Sequence, residues 1–244
     1  FNKGIFTACK NRGNDKCPPW VIRAKEIKHN SAKKTIYYDN AVLKIYDFPI
    51  FYFPKFFHPD PTVKRQSGFL MPQFAQNSTA GFATSLPYFW ALSKDKDMTI
   101  TPKIYASENI LIKNEYRQAF KNSFLIVDSS YTEGYKETSN KKTPGSRNHI
   151  FANFRYNFLD SKNSYSDLEI NLQHVSNDTY LKVHDIKTEL VEKDQNILKN
   201  ELKYQYQNNE EYFGLMATAY EDINKVDRSK YEYILPNIVY ERNL

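Results

Sequence analysis

The side chains able to do covalent or metal chemistry are few and poorly placed for it. Five histidines (His29, His58, His149, His174 and His184) and two cysteines (Cys9 and Cys17) are spread over 244 residues. No HExxH, CxxC, GxSxG, Walker A or GxGxxG pattern occurs. Cys9 and Cys17 have no histidine at ligand spacing, so a zinc site is not expected. The run His58-Pro59-Asp60-Pro61 could suggest a metal site, but a stiff turn in which Asp60 accepts backbone N–H groups is the simpler reading. The expectation is a protein with no catalytic residue, no metal and no cofactor.

Charge points to no specialised partner. The net charge of +6 could suit nucleic acid. However, the basic residues are scattered, with Lys33-Lys34 and Lys141-Lys142 the only lysine pairs, and no RRM, KH or zinc-finger pattern accompanies them. Nucleic acid is therefore not an expected partner. The prolines are more informative. Pro72 lies inside the strand-like run Gly68–Gln76, and Pro87 inside Phe82–Trp90. Each removes a ladder hydrogen bond, so both strands should pair weakly and lie at or near an edge or bulge. Two such strands in succession suit a seam that opens sideways.

The elements that must carry these residues read as all-β. Nineteen Tyr and 17 Phe favour strands, and the mean hydropathy of −0.69 is too low for a helical membrane protein. No window approaches the roughly 18 apolar residues of a transmembrane helix, but a membrane β-barrel is not excluded, because only alternate residues of its strands face lipid. Before residue 54, WVIRAKEI at 20–27, Thr35–Tyr38, Ala41–Tyr46 and Phe48–Phe53 read as short strands of a sandwich or jelly roll, with a break at Asp39-Asn40. Residues 55–67, with Pro59 and Pro61, read as a stiff linker. From Gly68 to Leu244 about ten strands follow. Ile150, Ala152, Phe154, Tyr156 and Phe158 alternate with Asn153, Arg155 and Asn157, and Leu168, Ile170 and Leu172 with Asp167, Glu169 and Asn171.

Such alternation fits a membrane barrel and a soluble sheet equally. Turn lengths favour the barrel. Connections near Ser93–Asp97, Lys121–Asn122, Asp160–Ser164 and Asn208–Glu210 are short. The other set includes the longer Gly134–Ser146, Asn177–Asn196 and Asp222–Lys230 along with two short members near Asn77–Ala80 and Ser107–Asn109, an incomplete asymmetry. Asn177–Asn196 has helix-like apolar spacing at Leu181, Val183 and Ile186, yet reads chiefly as a solvated loop. The chain is expected to be an interior fragment of a longer protein.

The runs PIFYFPKFFHPDPTVKRQSGFLMP at 49–72, LPYFWAL at 86–92, TITPK at 99–103, NEYR at 114–117 and LPNIVY at 235–240 together resemble the outer-membrane LPS-assembly family LptD. The resemblance is dense over residues 1–120. It implies the end of a periplasmic β-jellyroll (1–54), a linker (55–67) and the first strands of a large transmembrane antiparallel β-barrel (68–244). The implied function is translocation of lipopolysaccharide into the Gram-negative outer membrane. The implied partners are an LptE-type plug lipoprotein and a periplasmic LptA-type jellyroll bridge. Tyr52, Phe53 and Phe56 would line or pack near the jellyroll exit. Lys64 and Arg65 could meet the glycolipid's phosphates, although Arg65 could equally tie down the linker. Phe69, Pro72 and Pro87 would belong to the lateral gate. Cys9 matches a jellyroll cysteine that the family pairs with its C-terminal part; Cys17 leaves both a Cys9–Cys17 bond and bonds to other residues open. A general porin or receptor-type barrel, and a soluble β-sandwich binding protein, are the alternatives.

Overall fold

Four runs rich in aromatic and β-branched residues pair into one antiparallel sheet in the computed structural model. The structure describes residues 2–6, 20–45, 48–60, 62–63, 65–77, 80–133, 145–225 and 228–243. Cys9, Cys17, Lys64 and most of the connection 134–146 lie outside them. The chain divides into two compact units, Phe1–Gly68 and Phe69–Leu244.

The first unit holds β1 (Asn2–Phe6), β2 (Trp20–Asn30), β3 (Thr35–Ile45) and β4 (Phe48–Pro59), in spatial order of sequence. Two expectations are corrected here. Asp39-Asn40 does not break the second run: Asn40 takes a left-handed φ of 51° and β3 continues through it. Asn tolerates this conformation because its short polar side chain bonds locally, and here its Oδ1 accepts from the Tyr52 hydroxyl. The linker also begins later than residue 55, because β4 stays paired to β3 as far as Pro59, opposite Thr35. β4 is the sheet's edge, where the N–H that Pro54 lacks can point away from the ladder. Ile22, Ala24, Tyr38 and Ala41 are buried on one face, with Phe53 and Phe56 packed against them.

The second unit is a single path of antiparallel strands. It begins with four short pieces: β5 (Gly68–Phe69), β6 (Gln73–Asn77), β7 (Gly81–Ser85) and β8 (Tyr88–Trp90). Regular strands follow: β9 (Lys96–Tyr105), β10 (Leu111–Ala119), β11 (Ser123–Thr132), β12 (Arg147–Asp160) and β13 (Ser164–Val175). After the five-residue helix α1 (Tyr180–His184) come β14 (Ile197–Asn208), β15 (Glu211–Asp222) and β16 (Tyr231–Arg242). β5 with β6, and β7 with β8, are each one strand cut in two, so the path has the ten-strand count that the alternation gives.

Register turns sequence alternation into two faces. Leu125, Phe154, Ile170 and Leu202 lie side by side across β11 to β14, and Arg155, Glu169 and Lys203 form the neighbouring polar row. Burial is the reverse of a soluble sheet. Leu172 is 54% exposed on the apolar face, while Asp128 on the polar face is only 4% exposed, and Lys103, Asn153 and Glu201 are also buried. Charged and amide groups on that face are hydrogen-bonded to one another, as in Asn153 Nδ2 to Glu169 Oε1 at 2.9 Å and Arg155 Nη2 to Glu169 at 3.0 Å. Water exposure of Ile, Leu and Phe in aligned rows has no stabilising logic in water and suits a lipid contact.

The apolar core of this unit lies where a connection folds back over the polar face. Tyr180, Leu181, Ile186 and Val191 are buried with Ala83, Tyr105, Leu111 and Phe151. The segment after β13 is thus docked rather than solvated. Its helical spacing was visible in sequence, but its docking partners sit in strands far upstream.

Candidate functional site

Pro72 and Pro87 both fall where strands are cut. Residues 70–72 separate β5 from β6, and 86–87 separate β7 from β8. The two gaps face each other: the Leu70 N–H donates to the Pro87 carbonyl at 2.8 Å. In a closely spaced antiparallel pair the partner N–H would return the bond, but Pro87 has none. Phe69 beside this gap is 79% exposed, its ring edge-on to Tyr88 with centroids 5.2 Å apart. Pro72 is exposed and Pro87 buried. The structure therefore places Phe69 and Pro87 at facing strand ends, with Pro72 closing the 70–72 gap.

The residues of the first unit sort differently. Phe53 and Phe56 join the packed face, where Phe56 lies 5.7 Å from Tyr38 between ring centroids. Tyr52, adjacent in the strand, points to the other side and is 53% exposed. Asp60 behaves as a turn residue: its Oδ1 accepts from the Thr62 N–H at 2.8 Å, and its other oxygen meets His29 Nε2 at 2.7 Å. These bonds hold its carboxyl below the usual carboxylate range, the Thr62 backbone bond contributing most. His58 Nδ1 faces the Pro59 carbonyl and its Nε2 the Tyr38 hydroxyl, which burial pushes up to about 12. Arg65 is half-buried.

Behind the proline gaps, on the polar face, lies a cavity of about 570 Å³. Leu70, Pro87 and Phe89 give it an apolar side. Lys103, Lys113 and Arg117 line it together with the carboxylates of Glu115 and Asp128, and Asp185 and Lys187 reach it from the segment after α1. Thr99, Thr101 and Ser85 add hydroxyls. The lining offers an amphiphile one apolar side and one side of mixed charge and hydroxyl groups.

The docked segment is fastened by a buried polar chain that sequence reasoning missed. Asp128 Oδ1 meets His149 Nε2 at 2.6 Å, Ser130 Oγ meets His149 Nδ1 at 2.6 Å, and Tyr180 OH meets Ser130 Oγ at 2.5 Å. A carboxylate only accepts, so with a neutral ring the donors run one way: Tyr180 to Ser130, Ser130 to His149, His149 to Asp128. The trio has the membership of a hydrolase triad, but Ser130 is buried and its oxygen is already taken by Tyr180, which makes it a fastening. A second fastening is the Tyr105 hydroxyl at 2.9 Å from His184 Nδ1, with Lys103 Nζ donating to the His184 carbonyl at 2.7 Å. Burial, then the nearby Lys103, Arg147 and His149, press the His184 imidazole down to about 4. Serine, histidine and aspartate recur throughout such strands, so only the strand register could have singled these out.

Comparison with known proteins then narrows the reading. A family model described as LptD protein matches residues 36–243. An LPS-assembly protein LptD of Legionella pneumophila strain Lens is 28% identical over 99% of this chain, and the chain spans 28% of that relative's length. The protein of the same name from Pseudomonas aeruginosa UCBPP-PA14 is 29% identical over 73% of the chain and 20% of its own length. That of Shewanella sp. MR-4 is 39% identical over 41% of the chain and 14% of its own length.

Proposed function

The chain belongs to the LptD protein family, and on that footing we propose that it is the part of an outer-membrane LPS-assembly protein where lipopolysaccharide passes from a periplasmic jellyroll into the membrane. In this reading the four-stranded unit is the outlet end of the jellyroll, with Phe53 and Phe56 on its apolar path. The ten-strand path is the first portion of a transmembrane β-barrel whose apolar face meets lipid. Lys64 and Arg65, in the linker sequence, are the cations offered to the glycolipid's phosphates. An LptE-type plug and an LptA-type bridge are the partners that accompany this role. No bond is made or broken, so the protein is a conduit rather than an enzyme.

The observation that carries the reading is the pair of facing gaps at 70–72 and 86–87, with exposed Phe69 on one side and the amphiphilic cavity on the other. A glycolipid has acyl chains that must avoid water and a sugar-phosphate part that must keep it. A weakly bonded strip of sheet with a lipid-facing phenyl outside and charged and hydroxyl groups inside meets both needs at one place. The test is photocrosslinking in the full-length protein in cells, with the reactive side chain at Phe69 and a control at Phe154 on the apolar face. Capture of lipopolysaccharide at Phe69 well above Phe154 is expected. Equal capture at both would reject the exit and leave a barrel of other cargo.

A further inference from the structure

A third proline continues the break. Strands β7 and β8 pair with β9 in one unbroken register, Ser85 opposite Lys103 and Tyr88 opposite Ile100, so Leu86 and Pro87 fall opposite Pro102 and Thr101. The Leu86 N–H donates to the Pro102 carbonyl at 3.1 Å, and Pro102 has no N–H to return. In an extended strand a residue's N–H and C=O point to the same side. The donor missing from Pro102 is therefore missing toward β8, and the β9–β10 ladder, with Pro102 opposite Ile112, loses nothing. By the same geometry the donor missing from Pro87 is missing toward Leu70. Each proline weakens one boundary: Pro87 the first strand against the second, Pro102 the second against the third.

The remaining attachment is the shorter one: six residue pairs in all join β7 and β8 to β9, whereas eight join β9 to β10. We propose that Pro102 sets the boundary at which the sheet yields, so that strands β5 to β8 move together as one flap on β9 when the conduit opens. This rests on the lipopolysaccharide reading and deepens it: the moving part is two strands wide, and Pro102 acts as a positioning residue that touches no cargo.

Two experiments on the full-length protein decide it. In the first, Thr84→Cys/Ile104→Cys, opposite each other across β7 and β9, is compared with Met98→Cys/Tyr116→Cys across β9 and β10. Oxidising the first pair should lower arrival of newly made lipopolysaccharide at the cell surface by about tenfold, reversibly on reduction, because a gating motion is tied down. The second pair, treated alike, should leave it unchanged. Arrival unaffected by the Thr84–Ile104 bond would overturn the flap. The second experiment is independent of cargo: Pro102→Ala restores a donor and should slow exchange of the amides bonded across this boundary, Leu86 and Ala106 among them, by roughly fivefold, the effect of one hydrogen bond. Unchanged exchange would also overturn it. Absence of lipopolysaccharide capture at Phe69 in the unmodified protein would instead count against the function, leaving the exchange result to decide the mechanics.

Discussion

His184 is held uncharged by its surroundings, and that fixes how its segment responds to acid. Docked, it faces Tyr105 and Lys103 on β9, Arg147 and His149 on β12, and Tyr180 one turn before it. The docked imidazole titrates near 4 instead of near 6.5, because burial and neighbouring cations disfavour its charge. A depressed histidine contributes stability that is complete above the undocked value and declines as pH falls from about 6.5 toward 4. Docking of 177–196 should weaken by roughly two orders of magnitude over that interval, at tenfold per pKa unit. A spin label at Glu189 should report immobility at pH 7.5 and mobility near pH 4.5, and His184→Gln should flatten the response. Tyr180→Phe removes the hydroxyl given to Ser130 and should weaken docking by about 1 kcal/mol at every pH above 6.5. None of this was legible from the sequence. His149 and His184 could be counted there, but their partners lie 19 to 79 positions away.

Alternation was the most legible signal at the scale of elements. Phe154 and Asn153 fall on opposite faces as their spacing requires, and the register aligns them with Ile170 and Asn171. What one strand's pattern could not say is which face is wet, since a soluble sheet alternates too. Aligned exposed rows beside buried charge answer that. Phe154→Arg is accordingly expected to destabilise the folded full-length protein in lipid by about 2–4 kcal/mol if the residue sits near the bilayer midplane, read from a lower denaturant midpoint. A polar change on the other face, such as Lys203→Gln, should shift it little. Where the sequence misled, local chemistry overrode a familiar breaker. Asn40 turned without ending β3, and Pro54 sat in an edge strand that tolerates it.

Considered as a whole, the molecule distributes its bonding unevenly. Neighbouring strands from β9 onward exchange long ladders, while the hairpin before them is held in short blocks. The family was readable because the runs at 49–72 and 86–92 carry so many unusual residues in fixed order, and the all-β class because of the alternation. The exposed apolar rows predict that the folded protein stays dispersed only in detergent or lipid; sedimentation after detergent removal should give large assemblies. The docked segment also bears on how the protein is made. Lys103 and His184 are 81 positions apart, Ser130 and Tyr180 fifty. Contacts of such separation must pay loop-closure entropy before they return any stability, so they form late. The segment 177–196 can therefore seat only on a sheet that already contains β9, β11 and β12. Protease protection of 177–196 should accordingly appear only after β9, β11 and β12 have paired, which pulse proteolysis during folding would time.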